Sequence, residues 1–442
     1  MSHVFPRNNK NPFPLAVGGE GCFLISEDGR YFFDGSGGAA ISSLGHSNQR
    51  VVAAVQEQVS KLAFAHTSFF TSEPAEELAD LLIENAPGGL DKAYFVSGGS
   101  EAIEAAMKLA RQYHVENGEP ERCHFISRRQ SYHGNTLGAL AVGGNEWRRQ
   151  QFSPLLFSTS HVSPCYEYVN RKVSESSFDY GQRVAQELED EILHLGPKTV
   201  IAFIAEPVVG ATMGAVPAVE GYFGRIRKIC DKYGVLLILD EVMCGMGRTG
   251  HLFACEADNV LPDILCIAKG LGAGYQPIGA MLSSTTVYRA IERGTGFFQH
   301  GHSYLGHPVA SAAALAVIQE LLDQNLINRS KVMGKRLESA LLSKFGEHPH
   351  VGDIRGRGLF RGVELVDNRE AKIPFEPTRN IAAKVKAAAF DLGLLCYPMA
   401  GTRDGKHGDH VLLAPPFILK ETHIDLIVGT LSKAIDLAVS DT

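Results

Sequence analysis

Four charged side chains end runs of apolar residues, where such groups are seldom placed. In "VLLILDEV" five apolar residues lead straight into Asp240 and Glu241, and in "DILCIAKGLGAG" a similar run ends at Lys269. "TVIAFIAEPVVG" ends its apolar run at Glu206. A carboxylate at the end of a buried strand is costly unless a cation or hydrogen-bond donors meet it. A lysine in an apolar setting has a lowered pKa, and its neutral amine condenses with a carbonyl carbon. "SGGSE" adds Gly98, Gly99 and Ser100 ahead of a helical stretch, where free backbone N–H groups favour an anion. Tyr132, His133 and Gly134 supply a flat aromatic face and a second titratable group.

Each feature alone has an ordinary reading: a solvated lysine, a capped carboxylate, a tight turn. Together they describe one ligand chemistry. Lys269 would capture an aldehyde, and Asp240 would keep a pyridine nitrogen protonated so that the ring draws electrons. The glycine turn would cradle a phosphate, and Tyr132 would cover a ring face. That combination fits pyridoxal 5'-phosphate. Glu241 gains no role from it; backbone N–H groups or Arg248 are its candidate partners.

These residues need a scaffold that gathers strand ends. From about residue 90, short apolar runs alternate with helical stretches such as "SEAIEAAMKLARQY" and "YGQRVAQELEDEILHLGP". Ser100 stands where an N-cap belongs, and Gly196-Pro197 where a helix stops. Strands apolar on both faces, alternating with helices, predict an α/β fold around a mostly parallel sheet. In such sheets ligands bind beyond the carboxyl ends of the strands. "HPVASAAALAVIQELLDQNL" predicts a further helix with Pro308 in its first turn. "GCFLISEDGRYFFDGSGG" predicts a hairpin turning at Asp28-Gly29. The expected division is 1–60, an N-terminal segment packing with the small domain; 61–325, a large ligand-binding domain; and 326–442, a smaller α+β C-terminal domain.

The 442 residues are ample for a large core, and a net charge of −7 offers nothing to hold nucleic acid or an anionic membrane. No apolar run is long enough to span a bilayer, and the first residues lack the apolar stretch of a secretory leader. The eight cysteines form no CxxC pair, so neither a zinc site nor a disulfide framework is indicated, and a reducing cytoplasm is expected. No metal is expected.

"SGGSEAIEAAMKLAR", "SYHGNTLGAL", "AEPVVG", "LDEVMCGMGRTG", "IAKGLGAG" and "HGHSYLGHPVASAAAL" resemble, in order, the blocks of the class III (omega-) aminotransferases, fold-type I pyridoxal-phosphate enzymes. The resemblance covers about residues 20–420. It implies Lys269 as the cofactor-binding lysine and proton carrier, and Asp240 as partner of the pyridine nitrogen. It implies Val242 under one ring face, Tyr132 on the other, with His133 beside it. Gly99 and Ser100 would bind phosphate, and Glu206 would sit near cofactor and substrate. Ser303 stands where the family commonly has a threonine that reaches the neighbouring subunit's phosphate, which implies a homodimer with active sites at the subunit interface. His302 and His307 are expected to be structural.

The implied reaction is ping-pong transfer of an amino group from a small amine donor to an oxoacid acceptor. The ornithine-type branch carries an arginine for the acceptor carboxylate at the position of Leu412. Pyruvate-using members often carry theirs before "GDH", where Tyr397 or a neighbour falls here. Arg403 is the remaining arginine in that region, expected either to reach inward or to lie on a solvated loop. Without a visible clamp, and with Glu206 lacking its usual arginine partner, pyruvate is favoured over 2-oxoglutarate. Ala40 falls where some relatives have a large aromatic residue, and Phe23, Phe69 and Phe70 are candidate pocket walls or core. Racemases, epimerases and aminomutases use the same lysine and aspartate and stand as the alternative. A nicotinamide-dependent dehydrogenase would need GxGxxG, and "VSGGSEA" does not match it.

Overall fold

Asp240 ends a strand that is buried along its whole length, Leu236–Asp240. The computed structural model, which describes residues 3–9 and 13–440, places this strand at the middle of a seven-stranded sheet. Across the sheet the order is Leu90–Val96, Gly279–Ser284, Ile264–Ile267, Leu236–Asp240, Val200–Ala205, His124–Arg128 and Ser160–Val162. The last five pair parallel. Gly279–Ser284 runs antiparallel to both of its neighbours, a strand the sequence pattern did not disclose. Leu90–Val96 therefore points the same way as the parallel five. The carboxyl ends of six strands share one edge, and Gly98, Glu206, Asp240 and Lys269 all follow that edge.

Crossover helices cover the sheet. Gly99–Glu116 buries a face of alanines with Ile103, Met107 and Leu109. Its N-cap is Gly98, not Ser100. The Ser100 hydroxyl is engaged elsewhere: it donates to Asn135 Oδ1 at 2.8 Å and accepts from Asn135 N at 3.0 Å. Ser177–Leu195 ends at Gly196, and Pro308–Asp323 begins with its proline at the first turn.

The chain ends form two further four-stranded sheets. Phe23–Ser26 and Tyr31–Asp34 make the expected hairpin, with Gly29 at φ +79° in the turn. Leu394–Leu395 joins this sheet by parallel pairing with Tyr31–Asp34. The second sheet is antiparallel, in the order Val351–Arg357, Phe360–Leu365, Asp409–Leu413, Tyr397–Ala400.

Buried charge fastens this second sheet to a loop that follows the central strand Val200–Ala205. Arg355 donates to Glu364 at 2.6 Å and to Asp353 at 2.9 Å, and its Nε–H reaches the Gly214 carbonyl at 2.9 Å. Gly362, on the neighbouring strand, packs so closely on the same loop that a Cβ there would overlap the Gly214 carbonyl. That atom is backbone already held by Arg355, so it has little freedom to give way. Gly362→Ala is expected to cost about 1–3 kcal/mol of stability through this overpacking. Urea unfolding measures it, and an unchanged midpoint would show that the two layers do not meet as tightly as described.

Candidate active site

Five of the strand ends at that edge deliver groups into a cavity of about 430 Å³. Gly99, Ser100, Tyr132, His133, Glu206, Asp240, Val242 and Lys269 all line it.

Asp240 is buried and fixed at both oxygens. His133 Nδ1–H donates to Oδ2 at 2.8 Å, and the Val242 N–H donates to Oδ1 at 3.0 Å. The other ring nitrogen of His133 is buried without a partner among the described residues. Glu206 is also buried, and both its oxygens accept backbone N–H groups, from Tyr132 at 3.1 Å and Gly210 at 2.8 Å. Burial raises its pKa, opposed by His133 and assisted by Asp240. Backbone thus holds Glu206 in place.

Lys269 follows Ile264–Ile267 and takes a left-handed backbone conformation, φ +46°. For a residue with a Cβ that conformation is strained, and here it accompanies a side chain turned into the cavity. Burial lowers the amine's pKa to about 8, with the carboxylates of Asp240 and Glu206 pulling it up and Arg148 pressing it down. The amine therefore becomes neutral only a little above physiological pH.

Glu241 leaves the cavity altogether. Its carboxylate accepts the N–H groups of Ala254 at 2.5 Å and Cys255 at 2.7 Å. Backbone, not Arg248, is its partner. Arg248 is buried elsewhere, donating to the carbonyls of Leu359 at 3.3 Å and Pro415 at 2.5 Å. Burial pushes the Glu241 carboxyl up to about 7. Glu241 is the clasp of the loop between the sheet and Cys255.

The glycine turn fits an anion. The helix Gly99–Glu116 opens at the cavity, and its first N–H groups have no intrahelical acceptor. A Cβ at Gly99 would come within 2.7 Å of Val242 Cγ1, so only glycine brings this backbone against the cavity floor. The residues present therefore suit a phosphate-bearing aromatic aldehyde: a cradle without a side chain, a flat tyrosine, an anchored carboxylate and a depressed amine.

Other residues that the sequence singled out lie outside this cavity. Arg403 neither reaches inward nor lies free in solvent: it donates to the Lys372 carbonyl at 2.6 Å and lies 3.6 Å from Glu364, so it belongs to the buried network of the second sheet. Phe23 packs edge-on against Phe33 and His423, away from the cavity. Phe69 and Phe70 are neither core nor cavity wall in this chain, being 80 % and 69 % exposed. Ser303 lies outside the cavity. It lines a separate cleft of about 1050 Å³ with Phe70, Tyr94, Phe297 and His302, and shares another hollow with Tyr304 and His307. Leu412 is fully buried, in an apolar cluster with Ala40, Ala211 and Met243 against which Tyr397 packs. The sequence reading missed Arg148, whose guanidinium lies 4.6 Å from the Tyr132 ring centre. Its only sequence signal is the pair "RR" in "NEWRRQ", which looks like any exposed helix end.

A profile described as aminotransferase class-III matches residues 4–435, nearly the full chain. This chain belongs to the class III aminotransferases. An aminotransferase of Schizosaccharomyces pombe is 46 % identical over 440 residues, spanning 99 % of this chain and 96 % of the relative. Gamma aminobutyrate transaminase 3 of Solanum lycopersicum is 35 % identical over 424 residues, spanning 94 % and 79 %. The crystal structure of the omega transaminase from Pseudomonas jessenii in complex with PMP superposes with a TM-score of 0.93 at 33 % identity, covering 99 % of this chain and 97 % of that one. The fold is therefore that of the fold-type I transaminases, and class III aminotransferases are pyridoxal-phosphate enzymes acting on small amines and oxoacids.

Two outcomes are expected of this aminotransferase. Glu241→Ala strands two buried N–H groups and should cost about 2–4 kcal/mol. Loss of the clasp is read as a lower urea midpoint, and an unaltered one would contradict it. The cofactor-free protein should take up pyridoxal phosphate faster as pH rises, with a midpoint near 8 as the Lys269 amine loses its proton. Visible absorbance follows the uptake; a flat pH profile, or the same midpoint in Lys269→Ala, would refute the assignment.

Proposed function

We propose that this aminotransferase moves an amino group from a primary amine or omega-amino acid to a small oxoacid, pyruvate in preference to 2-oxoglutarate, in two alternating half-reactions. The observation that carries the reading is Lys269 and a doubly held Asp240 facing one cavity. Its support for a small acceptor is that among the described residues no arginine lines that cavity, and that the family resemblance sets Leu412 and Tyr397 or a neighbour at the places where other branches carry a clamping arginine.

Pyridoxal phosphate, when bound, supplies an aldehyde that captures amines and a protonated ring that draws electrons from the substrate carbon. The chain's own groups do the rest. Asp240 would hold the proton on the ring nitrogen, and His133 and the Val242 N–H keep its carboxylate from turning away. Gly99 and Ser100 would take the phosphate, and Tyr132 and Val242 would hold the ring between them. The Lys269 amine, in the fraction that is neutral at working pH, would take the proton from the substrate's alpha carbon and deliver it to the carbon that the cofactor's aldehyde supplies. Glu206 keeps the backbone of Tyr132 and Gly210 in register with that transfer.

We also propose a homodimer in the cytoplasm. Phe70 and Phe297 are exposed in the cleft that holds Ser303 and Tyr304 is exposed in the hollow beside it, an apolar surface that a second copy would cover while Ser303 approached that copy's phosphate site. All eight cysteines are free, which suits a reducing compartment. Among the described residues no helix is long and apolar enough to cross a membrane.

The half-reaction tests the proposal. An amine panel should bleach the visible band of the yellow holoenzyme, and pyruvate should restore it faster than 2-oxoglutarate does. Lys269→Ala should retain cofactor and lose conversion by several orders of magnitude. Cofactor binding without amine-dependent bleaching would favour a racemase or aminomutase on the same scaffold.

A further inference from the structure

Arg148 stands beside the active site with no assigned duty. Its side chain is half-buried, and its guanidinium lies over the Tyr132 ring at 4.6 Å and beside the Trp147 ring at 5.7 Å. Among the described residues it makes no ion pair, and its Nε is buried without a hydrogen-bond partner. An arginine brought out of bulk water and left unpaired is unfavourable unless an anion joins it.

The other arginines nearby are committed. Arg128 donates to the Glu206 carbonyl, Arg248 to carbonyls of Leu359 and Pro415, Arg355 to Glu364 and Arg403 to the Lys372 carbonyl. Tyr132, the ring that Arg148 covers at 4.6 Å, lines the cavity, and the charge of Arg148 acts on both Tyr132 and Lys269. The other titratable groups that act on Tyr132 are Tyr397, Asp240 and Arg7, the last on an exposed stretch near the N-terminus.

We infer that Arg148 receives the substrate carboxylate, with Tyr132 holding the guanidinium plane. This rests on the transamination reading above. A guanidinium fork binds a carboxylate through two parallel N–H donors, and stacking on Tyr132 fixes the plane of that fork. An amine without a carboxylate would lie against the apolar side formed by Ile41, Ala211 and Met243 instead. One cavity would then take an uncharged amine and an oxoacid in turn, the carboxylate settling on Arg148 at the rim.

Trp147 is the chain's sole tryptophan, so its fluorescence reports on this place alone. Holoenzyme titrated with propionate, an unreactive carboxylate, should show a saturable change in Trp147 emission. Arg148→Ala should weaken that binding at least about tenfold, and Arg148→Lys should restore part of it. With an amine that the wild type accepts, the second half-reaction is compared for pyruvate and for acetaldehyde, which lacks the carboxylate. In Arg148→Ala the kcat/KM ratio of pyruvate to acetaldehyde should fall about 10–100-fold, mainly through KM. An unchanged ratio, unchanged propionate affinity, or a larger effect from Arg7→Ala would overturn the assignment. Absence of any amine-dependent bleaching in the wild type would refute transamination, and the propionate titration would still decide on Arg148.

Discussion

An anionic carboxylate at the end of a fully buried strand has to be answered, and the active site is built around the answer at Asp240. One oxygen is taken by the His133 ring and the other by the Val242 N–H, which leaves the group oriented toward the cavity. His133 belongs to the segment after His124–Arg128, two strands away in the sheet. The hydrogen bond therefore ties two crossover connections together at the open edge. Tyr132 is positioned by the same segment and by Glu206, which ends the strand between them. A change at Asp240 would disturb the aromatic face as well as the charge.

Lys269 is set by opposing effects. Burial drives its amine toward neutrality, while Asp240 and Glu206 favour its protonated form. The balance near 8 leaves it able both to accept and to release a proton under physiological conditions. Two acids and one amine share a small cavity without forming a closed ion pair, because each acid is already occupied by other donors. Glu241 shows the alternative fate of a neighbouring carboxylate. Chain direction turns it to the opposite side of the strand end, where it closes a loop and takes no part in the cavity.

Lys269, Asp240, Glu206 and the glycine turn were legible in the sequence because each interrupts an apolar run, and a buried parallel sheet gathers such interruptions on one edge. The antiparallel strand Gly279–Ser284 was not legible, since its direction is decided by its neighbours and not by its own pattern. Ser100 was misread as a cap because its hydroxyl is claimed by Asn135, a partner that the turn after Tyr132 brings in. Arg403 was misread because the carboxylate that holds it, Glu364, lies on a strand paired two positions across the second sheet. Local sequence pattern identifies groups that are costly to bury. It does not identify which distant group relieves the cost.

The same reasoning separates the two sides of the cavity. The side formed by the central sheet is rigid, with strand ends, backbone N–H groups and a tethered carboxylate. The other side is lined by Ile41, Ala211, Met243 and Ile278; Leu412 and Tyr397 of the second sheet belong to the apolar cluster of Ala211 and Met243, and Arg148 lies over Tyr132. Leu412 is locked in that apolar cluster, behind the residues that line the cavity. Arg148, on the short helix Glu146–Arg149, is held by ring contacts alone. Contacts of that kind fix a plane without using the guanidinium's N–H donors. The chemistry common to the family is therefore carried by the rigid side. If Arg148 takes the substrate carboxylate, choice among substrates falls to side chains outside that rigid side, where an unpaired cation would alter which molecules fit.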